Sequence, residues 1–221
     1  MFSLTRMVLM TRYPLRTYGH GNGAWSVALG SLNSNSVVIS AGVGKDISFD
    51  LDVNKSHGCR VIMLDPSPTG CQTIERSKPL PPGLVFEKTG IAERDEDVSF
   101  ASPCHPDEGS FRLPVAGHAL PTHNFRCERL ATLMRRHNLN KVDLIKLDIE
   151  GFEYGVLRDL LKTKCEVEQI CVEFHHGIVP GIGKAQTLSS ILRLRVAGYF
   201  LVGRHGLNHT FIRGRGGASR K

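Results

Sequence analysis

The chain has 221 residues, with 28 Lys and Arg against 21 Asp and Glu, a length that fits one α/β domain with at most a small appendage. Seven of the cations (Arg6, Arg12, Arg16, Arg213, Arg215, Arg220 and Lys221) lie at ends that carry no acid, so the body between them is electrically balanced. That balance argues against a nucleic-acid groove in the body, and no apolar run has the length of a transmembrane helix.

Strands alternate with helical stretches, the pattern of βαβ units and a parallel sheet. The first strand is expected over Val37 to Val43, running into the turn Ala41-Gly-Val-Gly44 and then a helix. Arg60 to Leu64 reads as the second strand and Leu84 to Lys88 as the third. The Pro- and Gly-rich stretch from Ser99 to His123 reads as a long insertion, of the kind that is often functional or mobile. Apolar periodicity predicts helices over Arg129 to His137, Phe152 to Lys162 and Ala185 to Val196, the last closed by Gly198. Leu144 to Ile149 and Ile170 to Phe174 are the fourth and fifth strands. Tyr199 to Val202 and Thr210 to Ile212 form a closing hairpin. In chain order, 1–16 is an N-terminal extension, 17–212 the domain and 213–221 a basic Gly/Arg tail expected to be disordered.

The six cysteines show neither a CxxC pair nor metal-ligand spacing, so reduced thiols in the cytoplasm are the default. A secretory-pathway lumen is the alternative, because motif-bearing sequence begins almost at once, as if the start were truncated. Asn54-Lys-Ser and Asn208-His-Thr match the glycosylation sequon.

Chemistry concentrates at the strand ends. Gly42 and Gly44 let the backbone approach a ligand closely before a helix N-terminus. The second strand ends at Asp65, followed by Pro66, at the interval from Gly42 where an acid accepts hydrogen bonds from ribose hydroxyls. A turn-capping Asp before proline is the plainer reading of the same residue. NAD and S-adenosyl-L-methionine both fit a glycine turn followed by such an acid. Ile47 stands where the pyrophosphate fingerprint has its third glycine, with Asp46 beside it, and both are poor neighbours for a pyrophosphate. A sulfonium and an ammonium tolerate acids, so charge and shape favour the methyl donor.

Strand alternation puts Asp148 and Glu150 on one side of the fourth strand, and Glu173 and His175 on one side of the fifth. If those strands are neighbours, four polar groups converge. His175 or His176 is then the natural general base for deprotonating an acceptor hydroxyl. The alternative is a divalent metal held by Asp148, Glu173 and His175, possible but not favoured. Helix-dipole stabilisation by Glu150 and Glu153, and an exposed loop position for His176, are the structural alternatives. Tyr18 to Trp25, a glycine loop with the only tryptophan, reads either as a lid or as simple packing.

Four motifs in order, Val38-Ile-Ser-Ala-Gly-Val-Gly-Lys-Asp-Ile-Ser-Phe-Asp50, Leu64-Asp-Pro-Ser-Pro68, Leu144-Ile-Lys-Leu-Asp-Ile-Glu-Gly-Phe-Glu153 and Val172-Glu-Phe-His-His176, resemble the FkbM-type methyltransferases and most closely their eukaryotic methyltransferase-like branch. The resemblance implies a Rossmann-like class I methyltransferase fold, with a mostly parallel seven-stranded sheet and helices on both faces. It also implies S-adenosyl-L-methionine as cofactor and, commonly, O-methylation. By that match Gly42 and Gly44 lie along the methionine part, Asp65 holds the ribose, and Gly90 and Ile91 lie near adenine. Ser40 stands where an acid often opens the glycine motif, and Asp148 is the candidate to replace its grip on the methionine ammonium. A small molecule, a glycan or a lipid head group is the expected acceptor. An NAD-linked oxidoreductase and a non-catalytic binding module of the same fold are the alternatives.

Overall fold

A computed structural model describes residues 13–103, 109–114 and 120–214. Residues 1–12 and 215–221, which hold Arg6, Arg12, Arg215, Arg220 and Lys221, lie outside the described residues, as does Cys104.

Seven strands form the main sheet: β3 (Val37–Ala41), β4 (Arg60–Leu64), β5 (Leu84–Glu87), β9 (Val142–Leu147), β10 (Val167–Glu173), β11 (Tyr199–His205) and β12 (Asn208–Arg213). Their order across the sheet is β11-β12-β10-β9-β3-β4-β5. All neighbouring pairs from β10 to β5 are parallel, and only β12 runs against both β10 and β11. The order reverses between β3 and β9, and open α/β sheets bind ligands outside the strand C-termini at such a switch point.

The central strands are continuous apolar runs because both faces are covered. Val38, Ile39, Val61, Ile62, Leu144 and Ile145 are fully buried, each contributing on the order of 1.5–3 kcal/mol. Helices α3 (Leu130–Arg136), α4 (Glu153–Thr163) and α5 (Lys184–Val196) pack against one face. Helices α1 (Ser48–His57) and α2 (Pro68–Arg76) cover the other. Helix α1 starts where the Asp46 carboxylate accepts from Ser48 N (2.6 Å), and it stops at Gly58 in the left-handed conformation. Helix α2 has Ser67 as N-cap, accepting from Gly70 N (3.1 Å), with Pro68 behind it.

Two small sheets were not foreseen. A hairpin of β1 (Leu15–Tyr18) and β2 (Trp25–Ala28) packs on β10 and β12, tied by Gln169 Oε1 to Ala28 N (2.9 Å) and by Thr210 Oγ1 to Ser26 O (2.7 Å). This hairpin takes in Leu15 and Arg16, inside the segment read as an extension, and Trp25 is buried, 2% exposed, with Asn22 and Gly23 of the same loop in the wall of a cleft at the switch point. At the other end Gly214 N donates to Gly198 O (2.8 Å), slightly past residue 212. The second sheet joins β6 (Gly90–Ile91), β7 (Glu96–Ala101) and β8 (Thr122–Glu128). The stretch read as an unstructured insertion thus supplies the end of β7 and the start of β8. The five described cysteines are free thiols. Asn54 is buried with its amide donating to Cys59 O and Pro82 O, so that sequon is not presented to solvent. Among the described residues, no helix is long and apolar enough to cross a membrane.

Candidate functional site

A cleft of about 290 Å³ opens at the switch point, above the ends of β3, β4 and β9. Gly42, with φ +88°, leaves β3 so close to the strand beside it that a Cβ would overlap the Asp148 carbonyl. Asp148 N in turn donates to Ala41 O (3.0 Å). Gly44, with φ +54°, points its N–H at Asp65 Oδ2 (2.8 Å), while Asp65 Oδ1 accepts from Ser67 N (2.8 Å). Asp65 therefore braces the glycine turn and caps the turn into α2 at once. Asp46, beside Ile47 at the third-glycine position, is committed to the start of α1.

Gly42, Gly44, Asp65, Pro66, Gly90, Ile91, Asp148 and Glu150 all line the cleft. Ser40 does not: it is fully buried on the α1 side of the sheet, near Asp50, whose carboxyl is pushed up to about 6 by burial despite the nearby Lys146 cation. Lys146 gave no signal beyond its place in an apolar strand. It lies almost fully buried between the Trp25 ring (5.2 Å) and Gly42 O, to which Nζ donates (2.8 Å). The outer wall is aromatic, with Phe100 near Phe152 and Phe125 (ring centroids 4.6 and 5.3 Å). Phe100 comes from the segment read as an insertion, Phe125 from just after it and Phe152 from beside α4, and nothing in their spacing groups them.

Strand β9 ends at Leu147, so Asp148 and Glu150 do not share a strand face by alternation. Glu150 instead takes a left-handed turn (φ +52°) into Gly151, which swings it back to the same place. The convergence is real but differently built. His175, 3% exposed, presents Nε2 to Asp148 Oδ1 at 3.7 Å and to Glu150 Oε2 at 3.6 Å. Behind it, Glu153 is fully buried and binds both His175 N (2.9 Å) and Nδ1 (3.3 Å), with its other oxygen on Gly151 N (2.8 Å). Burial lowers the His175 pKa, but the Glu153 hydrogen bond and the charges of Glu153, Glu150 and Asp148 win and raise it to about 9. Glu173 is raised to about 7 by burial and by Asp148 beside it, and Glu150 is raised by burial. Asp148, Glu173 and His175 bring one potential ligand atom each within 4.8 Å of one another.

His176 is elsewhere. It hydrogen-bonds Thr187 Oγ1 (2.9 Å) on α5, and burial followed by the Lys184 and Arg204 charges lowers its pKa. Glu173, His175 and His176 do not line the cleft itself; Asp148 and Glu150 connect it to the buried group behind. Glu153 was read only as a helix-dipole residue. The Glu at the start of an apolar helix gives no hint that its target is a histidine 22 residues on.

The acidic donor set, with a glycine turn that admits backbone contact, fits a cationic nucleoside better than a polyphosphate. Among curated relatives, the chain is 22% identical over 172 residues to the hexuronic acid methyltransferase AglP of Haloferax volcanii, covering 72% of this chain and 70% of that one. Similar solved structures include the Methanococcus jannaschii fibrillarin pre-rRNA processing protein (12% identity, TM-score 0.45, 82% of this chain and 67% of that one). Human N-acetylserotonin methyltransferase in complex with SAM is another (12% identity, TM-score 0.41, 82% and 48%). The model of the Methyltransferase FkbM domain matches residues 27–201, so the chain belongs to the FkbM family of S-adenosyl-L-methionine-dependent methyltransferases.

Proposed function

We propose that the chain transfers the methyl group of S-adenosyl-L-methionine to an oxygen of a polar, sugar-like acceptor. The observation that carries this reading is the pairing, at one switch point, of a braced glycine turn with a group of carboxylates on its far side. In this reading Gly42 and Gly44 receive the methionine part, the free lone pairs of Asp65 accept from the ribose hydroxyls, and Gly90 and Ile91 lie against adenine. Asp148 and Glu150 face the sulfonium side, where their charge favours the cofactor's cations. Lys45 and Lys146, also in the wall, suit the methionine carboxylate.

The acceptor oxygen attacks the methyl carbon in line with the sulfur. The C–O bond forms as the C–S bond breaks, and the electron pair stays on the thioether of adenosylhomocysteine. The acceptor proton leaves toward Glu150, which lines the cleft beside Asp148. His175 and His176 are not assigned the proton: Glu153 occupies one ring nitrogen of His175, and His176 faces Thr187. Aromatic faces at Phe100, Phe125 and Phe152 suit the apolar side of a sugar ring. The relative named for a hexuronic acid supports the same acceptor class.

The test is calorimetry with S-adenosylmethionine and adenosylhomocysteine, followed by labelled-methyl transfer into fractionated cell-extract glycans and small molecules. Binding of both nucleosides, with label appearing in a base-stable, glycosidase-sensitive product, is expected. A folded protein that binds neither nucleoside would overturn the reading.

A further inference from the structure

We propose that Asp148, Glu173 and His175 form a binding site for a divalent cation of the manganese and magnesium class, placed to hold the acceptor oxygen. The inference deepens the methyl-transfer reading and rests on it for the cation's purpose, although not for its binding. Three features point to an ion rather than to a set of direct ion pairs.

The first is spacing. His175 Nε2 faces Asp148 Oδ1 at 3.7 Å and Glu150 Oε2 at 3.6 Å, beyond the roughly 2.7–3.2 Å of a hydrogen bond. Asp148, Glu173 and His175 bring one ligand atom each within 4.8 Å of one another, with 3.7 Å between His175 and Asp148, and ligand atoms about 2.1 Å from one ion stand about 3–4 Å apart, so a small inward movement would seat an ion. The second is orientation. His175 is 96–97% buried, and Nε2 makes no hydrogen bond in the described structure even though it faces carboxylates. The nitrogen is thus aimed between carboxylate oxygens at a distance that a bridging ion would fit.

The third is the support behind the ring. Glu153, with no exposure, accepts from His175 Nδ1 and from its backbone N, and its second oxygen fixes Gly151 N at the turn carrying Glu150. A carboxylate on the far nitrogen keeps the proton on Nδ1 and fixes the ring plane, so a cation that displaces the Nε2 proton meets a lone pair, the arrangement that metal-binding histidines adopt. Two carboxylates and one imidazole suit manganese and magnesium rather than a thiol-loving ion, and three donors leave positions for water and substrate oxygen. An acceptor hydroxyl bound there becomes more acidic, and its proton passes to Glu150 or to water as the C–O bond forms.

The experiment is a titration of Mn²⁺ into the full chain without cofactor, reading free Mn²⁺ by electron paramagnetic resonance, with S-adenosylmethionine affinity measured separately on the same samples. One bound Mn²⁺ per chain is expected, displaced by excess Mg²⁺. Glu173→Gln and Asp148→Asn should each weaken it at least tenfold. Glu153→Gln, which cannot touch the ion, should weaken it roughly 10- to 100-fold through the ring it orients. Loss of Mn²⁺ binding in Glu153→Gln with circular dichroism and melting temperature unchanged separates orientation from unfolding. If the wild type leaves Mn²⁺ free at millimolar protein, or if Glu173→Gln and Asp148→Asn both bind as tightly as wild type, the site does not exist. Cofactor binding without Mn²⁺ binding would remove the cation and leave the methyltransferase reading standing; the reverse result would remove that reading alone.

Discussion

Gly70 tests whether Asp65 does what its position suggests, from a residue that cannot touch cofactor. Gly→Ala inside a helix ordinarily stabilises by about 1 kcal/mol. In α2 the added Cβ would stand 2.5 Å from Asp65 Oδ2, well inside contact distance, with the Asp65 carboxyl carbon closer still. Asp65 cannot absorb this by a small tilt, because its oxygens are held at 2.8 Å by Gly44 N and Ser67 N. It must rotate and give up at least one of those bonds. A hydrogen bond to a charged group contributes about 1.5–3 kcal/mol, more than the helix gain, so Gly70→Ala should lose stability rather than gain it. The same rotation withdraws the acceptor proposed for the ribose hydroxyls and frees the Gly44 turn. S-adenosylmethionine affinity should fall by a similar 1.5–3 kcal/mol, roughly 10- to 150-fold in Kd. Calorimetry against S-adenosylmethionine, with a parallel urea melt, reads both quantities. A Gly70→Ala protein that is more stable than wild type and binds within twofold of it would refute both the lock on Asp65 and its place in the cofactor site.

Lys146→Met removes the cation beside buried Asp50 and should cost about 3–5 kcal/mol in urea unfolding, with much of the loss recovered in Lys146→Met/Asp50→Asn; additive effects in that double-mutant cycle would show that the two charges do not interact. Leu144→Ala, at a fully buried site in the middle of β9, should cost about 2–5 kcal/mol, and a loss under 1 kcal/mol would contradict the packing described. Burial, with lesser help from Arg204 and His176, holds His209 down at about 4, so the unfolded chain protonates first as pH falls below its usual 6.5. The stability it contributes is therefore complete above about pH 6.5 and is lost on acidification toward pH 4, on the order of 3 kcal/mol. His209→Gln should flatten that limb in melts taken between pH 7 and pH 4; an unchanged slope would place the acid sensitivity elsewhere.

The βα alternation was legible because buried parallel strands are rich in apolar residues: Val37–Ala41 and Arg60–Leu64 are nearly unbroken apolar runs, and in Val142–Leu147 only Asp143 and Lys146 interrupt the pattern. Positions set by backbone need were legible too. Gly42 and Gly44 adopt φ values that other residues resist, and Asp65, just past the second strand, accepts from Gly44 N and Ser67 N, the turn-capping role its place before Pro66 suggests. The small sheets were hidden for a physical reason. Strands β1, β7 and β8 are largely exposed and mixed in polarity, and β2 is only four residues long, so their identity comes from partners such as Gln169, Thr210 and Phe152 that lie far off in sequence.

The acidic end shows where one-dimensional reasoning stops and what replaces it. Alternation along a strand brought Asp148 and Glu150 together on paper. In the fold the strand is already over, and Glu150 reaches the same spot through a left-handed turn. The histidine was identified by type, as a residue that titrates near neutrality, yet its protonation is decided by Glu153, whose carboxylate approaches from the start of another element. Once three acids surround one imidazole, its intrinsic pKa no longer predicts its role. It becomes a cation among carboxylates or a ligand to one, and a free general base is the one state this environment opposes. A sequence can therefore nominate the members of a polar cluster from strand ends alone. Their assignment to base, ligand or support depends on which carboxylate lies behind which ring nitrogen, and only the packing of α4 against the end of β10 supplies that.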